Sequence, residues 1–175
     1  MKKLKTNNNF LTVNGGFTLI ELLIVIGIIA VLAAFAFVAL NPLARFADAR
    51  NARRWADVNM VLAALKLYQV DHNGRYNQDV ENLGTGVYYQ IGKGDNTTVS
   101  CLAPEVTLEA TNVDLDDYVS DGYMPSKPID PSAEGATFEQ TFYYIFKGDN
   151  GVLTVGACAE EQGSADAIPE ISVSR

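Results

Sequence analysis

One carboxylate, Glu21, stands inside the longest apolar run of the sequence. The run covers residues 17–40 and otherwise holds only apolar residues, one glycine and one threonine. A carboxylate in a membrane helix costs about 2.5–3.5 kcal/mol on insertion scales, so such residues usually have a function. One interpretation is that Glu21 lies near the end of the helix and reaches the membrane interface. The other pairs it with a cation: a cut after Gly16 would create an amine on Phe17, and a neighbouring copy, shifted along the helix axis, could bring that amine to Glu21.

The run is long enough to cross a membrane as a helix. Twenty-four helical residues span roughly 36 Å, against a hydrocarbon thickness of about 30 Å. The leader that precedes it carries Lys2, Lys3 and Lys5 and no acid, which favours a cytoplasmic start. An ordinary secretory signal, cut after Ala36, is the alternative, but the run starts late and contains a glutamate. The first residue of the mature protein, Phe17 or Phe37, distinguishes the two.

The segment from Gly16 to Ile26, which reads GFTLIELLIVI, resembles the class III leader and N-terminal helix of type IV pilins and type II secretion pseudopilins. The resemblance implies that prepilin peptidase cuts between Gly16 and Phe17 and N-methylates Phe17. It also implies that Glu21 neutralises the Phe17 amine of a neighbouring subunit during assembly. The implied fold class is α+β, with a long N-terminal helix packed on a small antiparallel sheet.

Four regions follow from these signals. They are a cleaved leader (1–16), a transmembrane and filament-core helix (17–40), a pilin head that includes the amphipathic half of the helix (41–159), and a flexible tail (160–175). Asn41-Pro42 predicts that the first helix bends or ends there and a second begins. Residues 43–73 form a second helical stretch, with Gly74 at its exit. Runs at 141–147 and 152–158 around an Asp-Asn-Gly turn predict a hairpin.

The second helical stretch has two apolar faces. The spacing predicts that one face covers the head's own sheet: Trp55, Val58, Leu62, Leu65 and Gln69. We expect the other face to contact the next subunit: Met60, Val61, Ala64 and Leu67. A basic patch just before them holds Arg45, Arg50, Arg53 and Arg54, with Asp48 and Asp57 among them. It either lies against anionic lipid head groups or complements the acidic head of a neighbour.

Cys101 and Cys158 would lie outside the membrane, where disulfides persist. We predict a bridge between them; two buried free thiols are the alternative. An acid-rich segment follows, with Asp114, Asp116, Asp117 and Asp121. Some major pseudopilins bind calcium in such a region, and a calcium site there is one interpretation. Solvated loop acids are the other, because the spacing is not that of an EF-hand.

Composition excludes several function classes. The net charge of −8 becomes −11 without the leader, which argues against a specific nucleic-acid partner. One histidine and two distant cysteines disfavour a zinc site. The sequence contains no motif of the G-x-S-x-G, Walker A or H-E-x-x-H kind. We therefore expect no enzyme, no catalytic residue and no cofactor apart from the calcium considered above.

The sequence therefore predicts a structural subunit of a type IV pilus or pseudopilus-like filament. A major pseudopilin acting in type II secretion is one alternative, and a membrane-anchored extracellular binding domain that does not polymerise is another. The expected partners are further copies of the chain, prepilin peptidase and an assembly platform. The precursor would be a single-pass protein of the inner or cytoplasmic membrane, and the product an extracellular or periplasmic filament.

Overall fold

The computed structural model describes residues 16–93, 99–102 and 104–175. The leader predicted at residues 1–16 therefore lies, apart from Gly16, outside the described residues. The chain divides into two compact units, Met1–Asn41 and Pro42–Arg175. The fold class is α+β, as predicted, with helices α1 (Leu19–Leu40), α2 (Pro42–Asp71), α3 (Gln78–Glu81) and α4 (Asp116–Ser120).

The backbone breaks at Asn41. Its φ of 39° and ψ of 71° lie in the left-handed region, which Asn tolerates better than most residues. Pro42 is the first residue of α2, where its missing N–H costs no intrahelical hydrogen bond. Of the two predicted outcomes, the structure shows the second: one helix ends and another begins. At its far end α2 exits as predicted through Gly74, which has a φ of 86°.

The second unit, the head, contains a five-stranded sheet in the order β4-β1-β5-β6-β7. The strands are β1 (Tyr88–Ile91), β4 (Glu109–Val113), β5 (Tyr143–Lys147), β6 (Leu153–Ala157) and β7 (Ser172–Ser174). The pair β5–β6 is the predicted hairpin, with Lys147 opposite Leu153 next to the turn. The sheet is mixed rather than fully antiparallel, because β1 and β4 run parallel. Between β1 and β4 in the sequence, β2 (Ser100–Cys101) and β3 (Val106–Thr107) pair antiparallel as a separate two-stranded sheet.

Helix α2 packs on this sheet, but its buried face differs from the predicted one. Val58, Leu62 and Leu65 lie in the core with side chains of β5 and β6, as expected. Trp55 was expected to be buried and is 40 % exposed. Val61 and Ala64 were assigned to a neighbouring subunit and are instead buried in the chain's own core. The buried face of α2 thus contains Arg54 in place of the neighbouring Trp55.

Residues 160–175 do not form the flexible tail that the sequence predicts. Strand β7 pairs antiparallel with β6, with Val173 opposite Val155, and Ile171 is fully buried. The hydroxyl of Ser164 donates to Asp48 on α2 at 2.6 Å. The segment is short of large apolar residues, but one buried isoleucine, strand pairing and polar contacts hold it to the head.

Candidate processing and assembly site

Helix α1 begins in a defined cap. The side-chain oxygen of Thr18 accepts a hydrogen bond from the backbone N–H of Glu21 at 3.2 Å, and the Thr18 carbonyl accepts from the Leu22 N–H at 3.2 Å. Threonine followed three residues later by glutamate is the spacing of a capping box. The T-x-x-E pattern of residues 18–21 is a local signal of this cap, and the predictions above do not include it. The cap fixes Glu21 in the first helical turn.

The carboxylate of Glu21 has no partner among the described residues: it takes part in no side-chain hydrogen bond or ion pair there. A negative charge in the first turn of a helix is favoured by the helix dipole, by about 0.3–1 kcal/mol at an exposed site. That gain is smaller than the cost of moving an unpaired carboxylate into an apolar environment. The described residues therefore leave the charge of Glu21 uncompensated.

The Gly16–Phe17 bond lies next to this cap and is accessible. A Cβ added to Gly16 would meet no described atom within 4 Å, so the described fold does not itself demand glycine there. Phe17 is 85 % exposed. The bond is therefore exposed, and its cleavage would leave an amine on Phe17, four residues before Glu21.

Helix α1 is apolar on every side and buries none of its residues. The exposed fraction of its large apolar side chains ranges from 47 % for Val25 to 89 % for Leu19. Exposed apolar surface of this extent marks a membrane or protein contact. Among the described residues, one helix is long and apolar enough to cross a membrane, and it begins at Leu19. That is the expected form of a membrane-anchored precursor.

Residues 12–37 match the family model described as the prokaryotic N-terminal methylation motif. This motif, a class III signal peptide, is characteristic of type IV pilins and pseudopilins. The motif contains Gly16, Phe17 and Glu21 and most of α1, so it coincides with the site built above. It points to a pilin-like structural protein rather than to an enzyme. No curated protein and no solved structure gives a significant match to the chain.

The predicted basic patch is divided by the fold. Arg54 is fully buried and forms two hydrogen bonds with Asp130, from Nε at 2.7 Å and from Nη2 at 2.8 Å. Arg50 binds Glu161 in the same bidentate way, at 2.6 and 2.8 Å. Only Arg45 and Arg53 keep mostly exposed side chains. Two of the four arginines therefore stabilise the head itself, which neither interpretation of the patch included.

The two aspartates on this stretch of α2 also bind within the head. Asp57 accepts from the hydroxyl of Tyr143 at 2.8 Å, and burial raises the pKa of Asp57 despite that hydrogen bond. Asp48 accepts from the hydroxyl and the N–H of Ser164, and those bonds lower the pKa of Asp48. The sequence could not show these partners because they lie about 90 to 120 residues further along the chain.

The structure gives two of the calcium candidates lysine partners. Asp116 lies 2.6 Å from Lys127 Nζ and 3.1 Å from Lys93 Nζ, and Asp114 lies 3.2 Å from Lys127 Nζ. The hydrogen bonds from Lys127 and Lys93 lower the pKa of the Asp116 carboxyl. Asp117 accepts instead from the Asn77 amide at 3.4 Å. Within the described part of the chain, no group of three or more metal-binding side chains comes together.

Cys101 and Cys158 form a disulfide, as the sequence predicts. It joins the small β2–β3 hairpin to the residue that follows β6. Both cysteines are buried in a second apolar cluster with Val99, Leu108 and Tyr144. The bridge therefore fastens the small hairpin over the face of the main sheet that α2 does not cover.

Proposed function

We propose that the chain is a structural subunit of a type IV pilus or pseudopilus-like filament. Prepilin peptidase cuts the precursor between Gly16 and Phe17 and N-methylates Phe17. The mature subunit then polymerises through the helix at residues 17–40. The observation that carries this proposal is that α1 is apolar on all sides and buries no residue. Lipid covers such a helix in the precursor, and the helices of other copies cover it in a filament.

Glu21 determines how neighbouring subunits are placed, because its carboxylate needs a cation as a partner. A carboxylate that enters a bundle of apolar helices without a partner costs several kcal/mol, whereas an ion pair offsets most of that cost. The cap places Glu21 in the first turn of the helix, and cleavage creates one new amine per subunit. A neighbour displaced along the axis brings its Phe17 amine to Glu21. Because this contact is head-to-tail, its repetition makes an open filament.

The head forms the outer part of the filament in this proposal. Its folding does not require the assembly contact, because its core is closed by its own α2, sheet and disulfide. The partners are further copies of the chain, prepilin peptidase and a pilus or secretion assembly platform. The subunit starts in the inner or cytoplasmic membrane and ends in a periplasmic or extracellular filament. A type II secretion pseudopilin is the alternative within this class, and visible surface filaments in electron micrographs would favour the pilus.

Mass spectrometry of the mature N-terminus tests the processing step. We expect the purified protein to begin at Phe17 and to carry one methyl group on its amine. A protein that still begins at Met1, or that begins at Phe37 after an ordinary signal cleavage, would contradict the proposal. Correctly processed protein that never forms polymers would instead support the anchored binding domain.

A further inference from the structure

An open groove of about 580 Å³ lies at the C-terminal end of α2 and in the loop that follows it. Its volume is within the range of about 300–1,000 Å³ found for small-molecule sites. Its lining combines aromatic rings with polar side chains: Tyr68, Asp71, His72, Asn73, Arg75 and Tyr76. The pilin-like N-terminus gives this groove no role.

A stacked pair of rings forms one wall of the groove. The rings of Tyr68 and His72 lie 3.8 Å apart, centroid to centroid, at an interplanar angle of 8°. The His72 Nδ1 atom lies 2.9 Å from the Tyr68 carbonyl oxygen, and Tyr123 packs edge-on against both rings. His72 is nevertheless exposed. One face of its ring stacks on Tyr68, which orients an imidazole that remains exposed where it lines the groove.

The loop beside this stacked pair is held rigidly. Asn73 and Gly74 both have a positive φ, of 55° and 86°. The Gly74 N–H donates to the Gln69 carbonyl at 2.7 Å, and the Gln69 side-chain amide donates back to the Gly74 carbonyl at 3.0 Å. The Arg75 N–H donates to the His72 carbonyl at 3.2 Å. A site ordered in advance loses less entropy when it binds a ligand.

The polar groups of the groove retain unused hydrogen-bonding capacity. The Tyr123 hydroxyl occupies Asp71 Oδ2, which leaves Oδ1 as an acceptor. The side chains of Asn73 and Arg75 form no hydrogen bond or ion pair with the described residues and are exposed. The groove thus offers an aromatic ring, exposed hydrogen-bond donors and a carboxylate acceptor within one loop.

We propose that this groove binds a neutral pyranose sugar. A pyranose has an apolar C–H face, which packs on an aromatic ring, and a rim of hydroxyls, which both donate and accept hydrogen bonds. The His72 ring would pack against the C–H face of the sugar. The side chains of Asp71, Asn73 and Arg75 would form hydrogen bonds with its hydroxyls. The processed chain, with a net charge of −11 once the three leader lysines are removed, disfavours nucleic acids and uronate sugars by charge repulsion. The inference does not depend on whether the chain polymerises.

Binding of the processed full-length protein in detergent to an oligosaccharide array tests this. The array should carry neutral glucose, galactose, mannose and N-acetylglucosamine oligomers, with uronate oligomers and single-stranded oligodeoxynucleotides as competing classes. We expect a neutral oligosaccharide to bind, and the affinity to fall at least about tenfold in His72→Ala and in Arg75→Ala. His72→Tyr, which keeps a ring, should retain binding.

Two further variants separate binding from folding. Asn73→Gly removes the amide while keeping the positive φ that glycine adopts freely, and we expect weaker binding at an unchanged melting temperature. Arg45→Ala removes an exposed arginine outside the groove and should leave binding intact. The proposal is overturned if no neutral oligosaccharide binds, if uronates or oligonucleotides bind better, or if binding survives both His72→Ala and Arg75→Ala.

Discussion

Arg54 and Asp130 form a bidentate ion pair in which neither side chain has any exposed surface. Burial alone would lower the pKa of Arg54, but the hydrogen bonds and negative charge of Asp130 outweigh it and raise that pKa. The Arg54 guanidinium also donates to Asn51 at 2.8 Å and to Ser132 at 2.8 Å. The pair fastens the chain near residue 130 to α2, so the head is built around a charged contact as well as an apolar core.

Replacing Arg54 with alanine should destabilise the head strongly. The change leaves the Asp130 carboxylate buried without its cation, a loss of about 3–5 kcal/mol when one partner of a buried pair is removed. Urea unfolding of the processed protein in detergent, followed by circular dichroism, measures this. Arg53→Ala is the matched control: its side chain is 64 % exposed, and we expect a change within about 0.5 kcal/mol. Equal effects of the two variants would contradict the structural role assigned to Arg54.

Glu160 should make the stability of the head depend on pH. Its side chain is 2 % exposed, and burial raises the pKa of its carboxyl from 4.5 to about 7. The folded state therefore holds this proton more tightly than the unfolded state. The contribution to stability is full below the ordinary pKa and is lost as pH rises from about 4.5 to about 7. At pH 8 we expect Glu160→Gln to be more stable than the wild type by up to about 3 kcal/mol.

The neighbouring Glu161 is a control because its pKa is shifted in the opposite direction to that of Glu160. Its hydrogen bond with Arg50 lowers the pKa of its carboxyl, so its contribution is present at neutral pH and is lost as pH falls. Glu161→Gln should therefore reduce stability at pH 8, where Glu160→Gln raises it. Urea unfolding at pH 5 and pH 8 compares the two variants. A Glu160→Gln variant with the same pH profile as the wild type would show that Glu160 does not carry the dependence.

Reduction of the Cys101–Cys158 bridge should lower stability without abolishing the fold. The bridge closes a loop with a sequence separation of 57 residues, worth about 4 kcal/mol in the chain-entropy model. The core between α2 and the sheet does not contain either cysteine, so far-ultraviolet circular dichroism should remain native. The double variant Cys101→Ser/Cys158→Ser should unfold at a lower urea concentration than the oxidised protein. An unchanged midpoint would contradict a stabilising bridge.

Calcium should leave the melting temperature unchanged, because Lys93 and Lys127 already form ion pairs with Asp114 and Asp116. A divalent cation would have to displace an ammonium group that is 7 % exposed and lies 2.6 Å from Asp116. Lys127→Met should lower the melting temperature, since it leaves Asp114 and Asp116 with the exposed Lys93 as their remaining cation among the described residues. Differential scanning fluorimetry with excess calcium and with chelator compares both proteins. A rise with calcium in the wild type would show that the lysines do not saturate this site.

The sequence predicted best where the signal is local. The length and apolarity of α1, the break at Asn41-Pro42 and the β5–β6 hairpin all follow from neighbouring residues, and all are present. The cysteine pair followed from the expected compartment. The Thr18 cap is also a local feature, which the T-x-x-E spacing of residues 18–21 indicates.

Contacts between distant parts of the chain could not be predicted in the same way. Where an arginine and a tryptophan are neighbours on a helix, the sequence predicts that the arginine is exposed and the tryptophan buried. Arg54 is buried instead because it pairs with Asp130, 76 residues away. Similarly, a segment with one large buried residue, Ile171, reads as a mobile tail until its pairing with β6 is known. The parallel β1–β4 pair depends on the path of the whole intervening chain. In each case the burial or pairing of a segment depends on residues that are distant in the sequence.

Filament assembly by the Glu21→Ala variant tests the central claim most directly. Expression of the variant in the native cell, with sheared filaments quantified by immunoblot and electron microscopy, is the measurement. Ile24→Ala on the same helix is the matched control, and mass spectrometry verifies that both variants begin at Phe17. We expect Glu21→Ala to be processed but to lose filaments almost completely, while Ile24→Ala still assembles. Filaments formed by processed Glu21→Ala in wild-type amounts would contradict the account.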